Sequence, residues 1–523
     1  MSRSLNLAAP LDHNSRERPR AVAVKSGDRE MTYAQAAATA RDVGAILESA
    51  SIGIGSRVGI LASRSLEACI GVLGAAWAGA AYVPIPTRAP EERLLSILSL
   101  AEVGALFVDG KGSQLLSEAL VEALPEIVFV SDETTAARLR NRRRVYVVDR
   151  LPEAANEAKP IEVSAESLAY IEFTSGTTGV PKGVMISAGA VGHYVSMMQD
   201  RYSLTPDDRV AETAELSFDI SVSNMFTAWN AGASLHILSA RDMADPVRFV
   251  RDHAITFWFS VPSIVALMKR VDALRPGAML SLRRSLFCGE PLPVQSALTW
   301  QAAAPNSTVD NLYGPTEATV FCLAQPLTDP PVVTPHRDIL AIGVPLPGTE
   351  AAIFDQSRNV LPVGQQGELA LSGPQLAEGY FREPTLSASR FPVIDGKRWY
   401  LTGDLAVKDG SARFHHLGRI DNQIKVLGLR VELEEVEAHL RIVCGTEAVA
   451  AVPWKMSHGS AEGIIAFIEG AAISPSKARQ ELAARLPAYM VPTTIRCVNT
   501  LPMSVNGKLD RRALLAQLDQ GLL

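Results

Sequence analysis

The segment Phe173-Thr-Ser-Gly-Thr-Thr-Gly-Val-Pro-Lys-Gly-Val184 gathers four hydroxyl side chains, three glycines and one lysine into a short span. Phosphate oxygens are the natural ligands of such a loop. Glycine lets backbone N–H groups come close to a ligand, Thr174, Ser175, Thr177 and Thr178 add hydroxyl donors, and Lys182 adds charge. The Walker phosphate loop, G-x-x-x-x-G-K-S/T, does not fit. Counting from Gly176, its sixth position is Pro181 and its eighth is Gly183. A Gly/Ser/Thr-rich linker is the ordinary alternative, and the stiff Pro181 beside a lone Lys182 argues against it.

Four more stretches carry chemistry. Asn311-Leu-Tyr-Gly-Pro-Thr-Glu317 couples an aromatic face, a Gly-Pro turn, a hydroxyl and a carboxylate, the parts needed to stack a purine, meet a phosphate and hold a magnesium ion. Tyr400-Leu-Thr-Gly-Asp404 sets a carboxylate after a strand, where it can accept two ribose hydroxyls. Gly418-Arg-Ile-Asp-Asn-Gln-Ile-Lys425 supplies a cation and a carboxylate, and Asn506-Gly-Lys508-Leu-Asp510 presents a lysine on a turn. Singly each reads as an ordinary turn; their joint order is the signal.

The elements that must position these residues follow from hydrophobic pattern. Leu168-Ala-Tyr-Ile-Glu-Phe173 reads as the strand delivering the phosphate loop. Ahead of it, short apolar runs at 58–62, 105–109, 126–130 and 145–148 alternate with helical spacing at 33–50 and 91–99. Beyond the loop the alternation resumes, with strands at 235–238 and 256–260 and helices at 246–253 and 263–274. Such alternation predicts an α/β fold with largely parallel sheets. From about 340, Gly/Pro-punctuated short strands predict a β-rich subdomain. After Asp421 a compact tail is expected: helix 432–442, strands 447–453 and 463–468, and helix 475–486. The predicted organisation is a large N-terminal domain, 1–420, of two α/β subdomains plus the β-rich one, and a small mobile α+β C-terminal domain, 421–523.

Bulk composition narrows the classes. The chain has 523 residues, 47% hydrophobic and 20% charged, too long for one core and ordinary for a soluble protein. A net charge of -6 gives no basic footprint for nucleic acid, and the run 138–144 reads as a solvated surface. Five scattered cysteines without a C-x-x-C pair fit a reducing compartment, and neither they nor the nine histidines form a metal-ligand pattern. Residues 68–87 lack charge over a bilayer-spanning length, but their glycines and prolines predict a buried helix and a strand. No signal peptide is read at the N-terminus, so a cytoplasmic protein without membrane or nucleic-acid partners is expected.

The ordered motifs resemble the adenylate-forming superfamily of acyl-CoA synthetases, peptide-synthetase adenylation domains and luciferases, over roughly residues 20 to 515. Within it the chain is most similar to amino-acid adenylation domains, on Phe218-Asp-Ile-Ser221, Tyr313-Gly-Pro-Thr-Glu317, Gly418 to Lys425, Glu437, Leu486-Pro-Ala-Tyr-Met-Val-Pro492 and Asn506-Gly-Lys508. The resemblance implies two steps. A carboxylate and MgATP form an acyl-adenylate and pyrophosphate, and a thiol then takes the acyl group. Charge builds up on the attacked α-phosphate, so cations and donors aimed there carry most of the catalysis.

By the same resemblance, Lys508 bridges the substrate carboxylate and nucleotide oxygens, Thr316 faces the α-phosphate, and Arg419 contacts the nucleotide. Thr174, Ser175, Thr177 and Lys182 hold the β- and γ-phosphates, Tyr313 stacks adenine, Gly176, Thr178, Gly289, Glu290 and Gly314 also bind the nucleotide, Asp404 holds ribose, and Glu317 holds Mg2+. Asp421 is the hinge about which the small domain rotates to withdraw Lys508 after the first step. Asp219 pairs with the substrate's α-ammonium, its ordinary alternative being a surface or capping aspartate. A buried carboxylate without a cation is costly, which favours an amine-bearing substrate. The remaining pocket comprises Ile220, Ser223, Ser260, Leu286, Cys288, Leu312, Val320 and Phe321, with Cys288 as a wall. Nothing in that set neutralises a charged side chain, so a neutral amino acid such as proline, alanine, glycine, serine or cysteine is expected. No Gly-Gly-x-Ser phosphopantetheine site follows Lys508, so the expected acceptor is a separate phosphopantetheinylated carrier protein, as in natural-product biosynthesis. An acyl-CoA ligase for an acid lacking an amine stays open, as does a homologue that binds nucleotide without turnover.

Overall fold

The computed structural model describes residues 5–154, 158–176, 180–426, 428–457, 460–470, 473–502 and 509–520. Thr177, Thr178 and Lys508 therefore lie outside the described residues. The chain divides into two compact units: Met1–Thr87, Leu98–Phe173 and Gly183–Leu417 form the first, and Arg88–Ile97, Thr174–Lys182 and Gly418–Leu523 the second.

The first unit is α/β, built on two large sheets. One has eight strands, in the order Gly379–Tyr380, Lys182–Ser187, Leu168–Thr174, Ala81–Ile85, Arg57–Leu61, Ala105–Val108, Ile127–Val130 and Arg144–Val147. It is parallel from Leu168–Thr174 to Arg144–Val147. The uncharged stretch resolves as helix Leu66–Trp77 and strand Ala81–Ile85, both buried. Ser65 caps that helix by accepting the Ala68 N–H. Gly74 lets helix Tyr33–Ser49 lie directly against it: a Cβ there would stand 2.3 Å from Val43 Cγ1.

The other sheet has nine strands and is parallel from Thr308–Tyr313 through Arg284–Phe287, Phe257–Ser260, Arg209–Glu212 and Ser234–Ile237 to Val22–Ser26. Its last interior strand comes from the N-terminus, with Val24 opposite Leu235. The β-rich region is a four-stranded sheet, Glu350–Phe354, Gln366–Ser372, Tyr400–Lys408 and Phe414–Arg419. In the basic run, Arg140 pairs with Glu133 and Arg142 with Glu118 on an exposed surface.

The second unit has a five-stranded sheet of Leu429–Glu432, Gln423–Val426, Ser460–Glu469, Val449–Ser457 and Thr494–Val498. Strict alternation serves two cores. Ala451, Ile464, Ala466 and Ile468 pack with Val436, Leu440 and Leu482 of helices Leu433–Cys444 and Pro475–Ala483. Ala450, Val452, Ile465 and Phe467 pack with Leu514 and Leu518 of helix Arg511–Asp519.

Two predicted helices end early. The helix expected over 263–274 stops at Arg270, because Asp272 takes a left-handed φ of 51°. That expected over 475–486 stops at Ala483, ahead of Pro487. Among the described residues no helix is long and apolar enough to cross a membrane.

Candidate active site

The substrate side of the site lies in the first unit. Asp219 stands at the start of helix Ile220–Ala231, half-buried, yet its side chain makes no capping hydrogen bond. Its charge helps raise the phenols of Tyr82, Tyr170 and Tyr194, for each of which burial is the larger cause. Ile220, Leu286, Cys288, Leu312, Val320 and Phe321 join one buried apolar cluster. Alternation along Arg284–Phe287 sends Leu286, and Cys288 just beyond, into that cluster while Phe287 enters the other core. Ser223 accepts the Tyr194 hydroxyl at 2.7 Å, and Tyr194 meets Phe321 edge-on. Ser260 is buried, and its hydroxyl accepts the indole N–H of Trp258 at 2.8 Å.

The turn carrying Val320 is strained. Thr319 and Val320 both adopt positive φ, 52° and 67°, and for a β-branched residue that conformation is costly. Buried Gln375 holds it there. Its Nε2 donates to the carbonyls of Ala318, Thr319 and Phe321 at 3.3, 3.2 and 2.9 Å, and its main-chain carbonyl accepts the Thr319 hydroxyl at 2.7 Å. Gly314 allows the return: a Cβ would meet Phe321 Cα at 2.3 Å. Replacing Gln375 by Ala is expected to release the turn, lower stability by about 1–3 kcal/mol and raise the KM of the organic substrate more than that of ATP. Denaturant unfolding and steady-state kinetics on one preparation check both.

Glu172 was not singled out from the sequence. Alternation puts it on the same face of Leu168–Thr174 as Tyr170, whose ring stacks on Tyr82 at 5.4 Å. Its Oε2 and the hydroxyls of Tyr82 and Tyr170 are buried and find no hydrogen-bond partner among the described residues. Burial first, then the charges of Asp219 and Glu317, hold the Glu172 carboxyl well above the usual carboxylate range. The available signal was an acidic residue inside an otherwise apolar strand.

The nucleotide-type residues of this unit form a second group. Tyr313 donates its hydroxyl to Asp404, which also takes His416 Nε2 at 3.2 Å. Burial and then Asp404 push the Tyr313 phenol far up. Glu290 accepts the Ser263 N–H at 2.7 Å, and Gly289 supplies a φ of 87° in the turn before it. Thr316 is half-buried, while Glu317 next to it is fully buried and accepts the Tyr380 hydroxyl at 2.8 Å. Among the described residues no group of three or more His, Cys, Asp and Glu is arranged as a metal cluster. Glu317 nevertheless fits Mg2+, a hard cation commonly held by one carboxylate together with substrate phosphates.

In the second unit, the described part of the phosphate loop is tied to its neighbours. Ser175 donates to the Arg430 carbonyl at 3.3 Å, the Gly176 N–H to Glu435 at 3.1 Å, and Lys182 lies 3.6 Å from Glu432. Glu435 in turn pairs with Arg93. Thr174 bonds weakly to the Lys182 carbonyl at 3.5 Å. Arg419 makes a two-pronged pair with Asp421, at 2.6 and 2.7 Å.

The family pattern described as AMP-binding enzyme matches residues 11–381. The chain belongs to the AMP-binding enzyme family. As a member of it, the chain is 31% identical over 520 residues to tyrocidine synthase 2 of Brevibacillus parabrevis, covering 97% of itself but only 14% of that protein. It is also 31% identical over 517 residues to L-proline–(L-prolyl-carrier protein) ligase of Pseudomonas fluorescens, covering 97% of itself and 98% of the ligase. Among solved structures, the Vibrio cholerae adenylation domain AlmE in complex with glycyl-adenosine-5'-phosphate superimposes with a TM-score of 0.88 at 28% identity, covering 98% of this chain and 97% of that one. The chain thus spans a small fraction of some curated relatives and nearly the whole of another.

Proposed function

We propose that this AMP-binding enzyme is an ATP-dependent amino acid:carrier protein ligase. It activates a small or medium neutral amino acid as the aminoacyl-adenylate and passes it to the phosphopantetheine thiol of a separate carrier protein. The observation that carries the reading is Asp219. Its side chain is not spent on capping its helix, and it stands among buried phenols beside the apolar cluster of Ile220, Leu286, Leu312, Val320 and Phe321. A carboxylate so placed is suited to receive a substrate ammonium through a charge-assisted hydrogen bond.

Each residue's work then follows. Asp219 fixes the amino group, and the apolar walls limit side-chain size and exclude charge. Thr174, Ser175, Gly176, Thr177, Thr178 and Lys182 hold the outer phosphates, Thr316 and Arg419 meet the α-phosphate region, and Asp404 takes ribose with Tyr313 against adenine. Lys508 aligns substrate carboxylate and nucleotide for in-line attack. Mg2+ on Glu317 would neutralise phosphate charge when bound. Residues 421–523 are proposed as a mobile domain hinged at Asp421, whose swing admits the thiol. Five free thiols support a reducing compartment, proposed to be the cytoplasm.

Similarity to the prolyl-carrier protein ligase over 98% of its length supports the carrier-loading step. The test supplies the cognate amino acid with ATP and either a holo carrier protein or free coenzyme A. A thioester on the holo carrier, with none on coenzyme A, is expected. Efficient transfer to coenzyme A with a des-amino acid would replace this reading by that of an acyl-CoA ligase.

A further inference from the structure

Tyr194 belongs to none of the motifs, yet it touches two residues of the proposed substrate pocket. Its helix, Ala188–Tyr202, buries Val191, Tyr194, Val195, Met198 and Tyr202 at helical spacing. From that stripe the Tyr194 phenol reaches helix Ile220–Ala231, where its hydroxyl donates to Ser223 Oγ at 2.7 Å. The ring meets Phe321 edge-on, with centroids 5.3 Å apart. Tyr194 and Ser223 are both 0% exposed. Phe321 is held in turn, edge-on by Phe259 at 5.8 Å and through its carbonyl by Gln375 at 2.9 Å. A phenol bonded at its hydroxyl and packed against a second fixed ring makes a rigid wall.

Ser223 lies one turn along its helix from Asp219, whose carbonyl accepts the Ser223 N–H at 3.3 Å. Residues four apart share a helix face, with Cβ atoms about 5–6 Å from each other. A serine at 223 is small enough to open a slot beyond it, and the Tyr194 phenol occupies that space instead. We propose that Tyr194 is the floor of the substrate pocket and sets its depth. The enzyme then selects amino acids with short side chains, of the size of glycine, alanine, serine or proline, over long aliphatic and aromatic ones. This rests on the amino-acid reading given above, with the ammonium at Asp219, and narrows it. A side chain entering from Asp219 meets the phenol within about one helical turn. A longer one must displace a buried aromatic ring together with its hydrogen bond, and overfilling a packed interior is costly.

The test measures ATP–pyrophosphate exchange driven by the straight-chain series alanine, 2-aminobutyrate, norvaline and norleucine, in wild type, Tyr194→Phe, Tyr194→Leu and Tyr194→Ala. In wild type, kcat/KM is expected to fall about 10- to 100-fold from alanine to norleucine. Tyr194→Phe keeps the ring and should keep that order. Tyr194→Leu and Tyr194→Ala remove the floor, so the norleucine-to-alanine ratio of kcat/KM is expected to rise about 10- to 100-fold, with the MgATP KM unchanged. Partial unfolding lowers all the rates alike, so the ratio reads the pocket and not stability. A wild type that uses norleucine as well as alanine overturns the proposal before any variant is made. An unchanged ratio in Tyr194→Leu and Tyr194→Ala overturns it too, and either result leaves the amino-acid reading intact. Silence from every amino acid in wild type, with exchange from simple carboxylic acids, removes both readings together.

Discussion

Asp219→Asn is expected to lower the kcat/KM of amino-acid-dependent exchange by about a hundred- to a thousand-fold. Asparagine keeps the shape of the side chain and removes its charge. The substrate ammonium then enters a region walled by Ile220, Leu286, Phe321 and other apolar groups without its principal counter-ion. Leaving one member of a buried charge pair alone costs about 2–5 kcal/mol, which sets that range. Asparagine is itself a favoured residue at a helix start, so the helix Ile220–Ala231 and the folded state should persist. The same variant should narrow the preference for an amino acid over its des-amino analogue, since it removes the group that distinguishes them. Kinetics on the matched pair of substrates checks both parts. Wild-type kinetics in Asp219→Asn would return the residue to the surface role that is its ordinary alternative.

Glu317→Gln is expected to cost about a hundred- to a thousand-fold in kcat/KM for MgATP, the scale seen when a preorganised electrostatic contact at a reacting centre is removed. Glu317 is fully buried and accepts the Tyr380 hydroxyl at 2.8 Å, so its carboxylate is oriented before any cation arrives. Raising Mg2+ should recover part of the loss, which a purely structural defect would not show. Tyr380→Phe removes only the aiming bond, and about a tenfold effect is expected. A magnesium titration of the three proteins measures this directly. An unchanged magnesium dependence in Glu317→Gln would assign the ion elsewhere.

Much of the fold was legible because hydrophobic period is local. Helix Leu66–Trp77 with strand Ala81–Ile85 and the β-rich region after 340 follow from short windows of sequence. What was not legible is pairing between distant segments. Nothing near Val22–Ser26 announces that it closes the sheet of Ser234–Ile237, more than two hundred residues away. Helix ends set by a single backbone angle, as at Asp272, were also out of reach.

The site divides in the same way. Motif order brought Tyr313, Asp404 and Glu317 to notice, and the structure gives two of them a shared hydrogen bond and the third a tyrosine partner. Gln375 and Glu172 carry no motif. Gln375 matters through three carbonyls more than fifty residues away, and Glu172 through the face of the strand on which it falls. Both depend on tertiary placement, which a linear pattern does not encode.

The most direct test of the central claim is ATP–pyrophosphate exchange with the purified protein, using the proteinogenic amino acids, both enantiomers of alanine, several β-amino acids and their des-amino counterparts, with Lys508→Ala as control. The account predicts strong exchange with one neutral amino acid or a narrow group of them, lost in Lys508→Ala and absent with the matching des-amino acid. Exchange driven by simple carboxylic acids, with every amino acid silent, would contradict it.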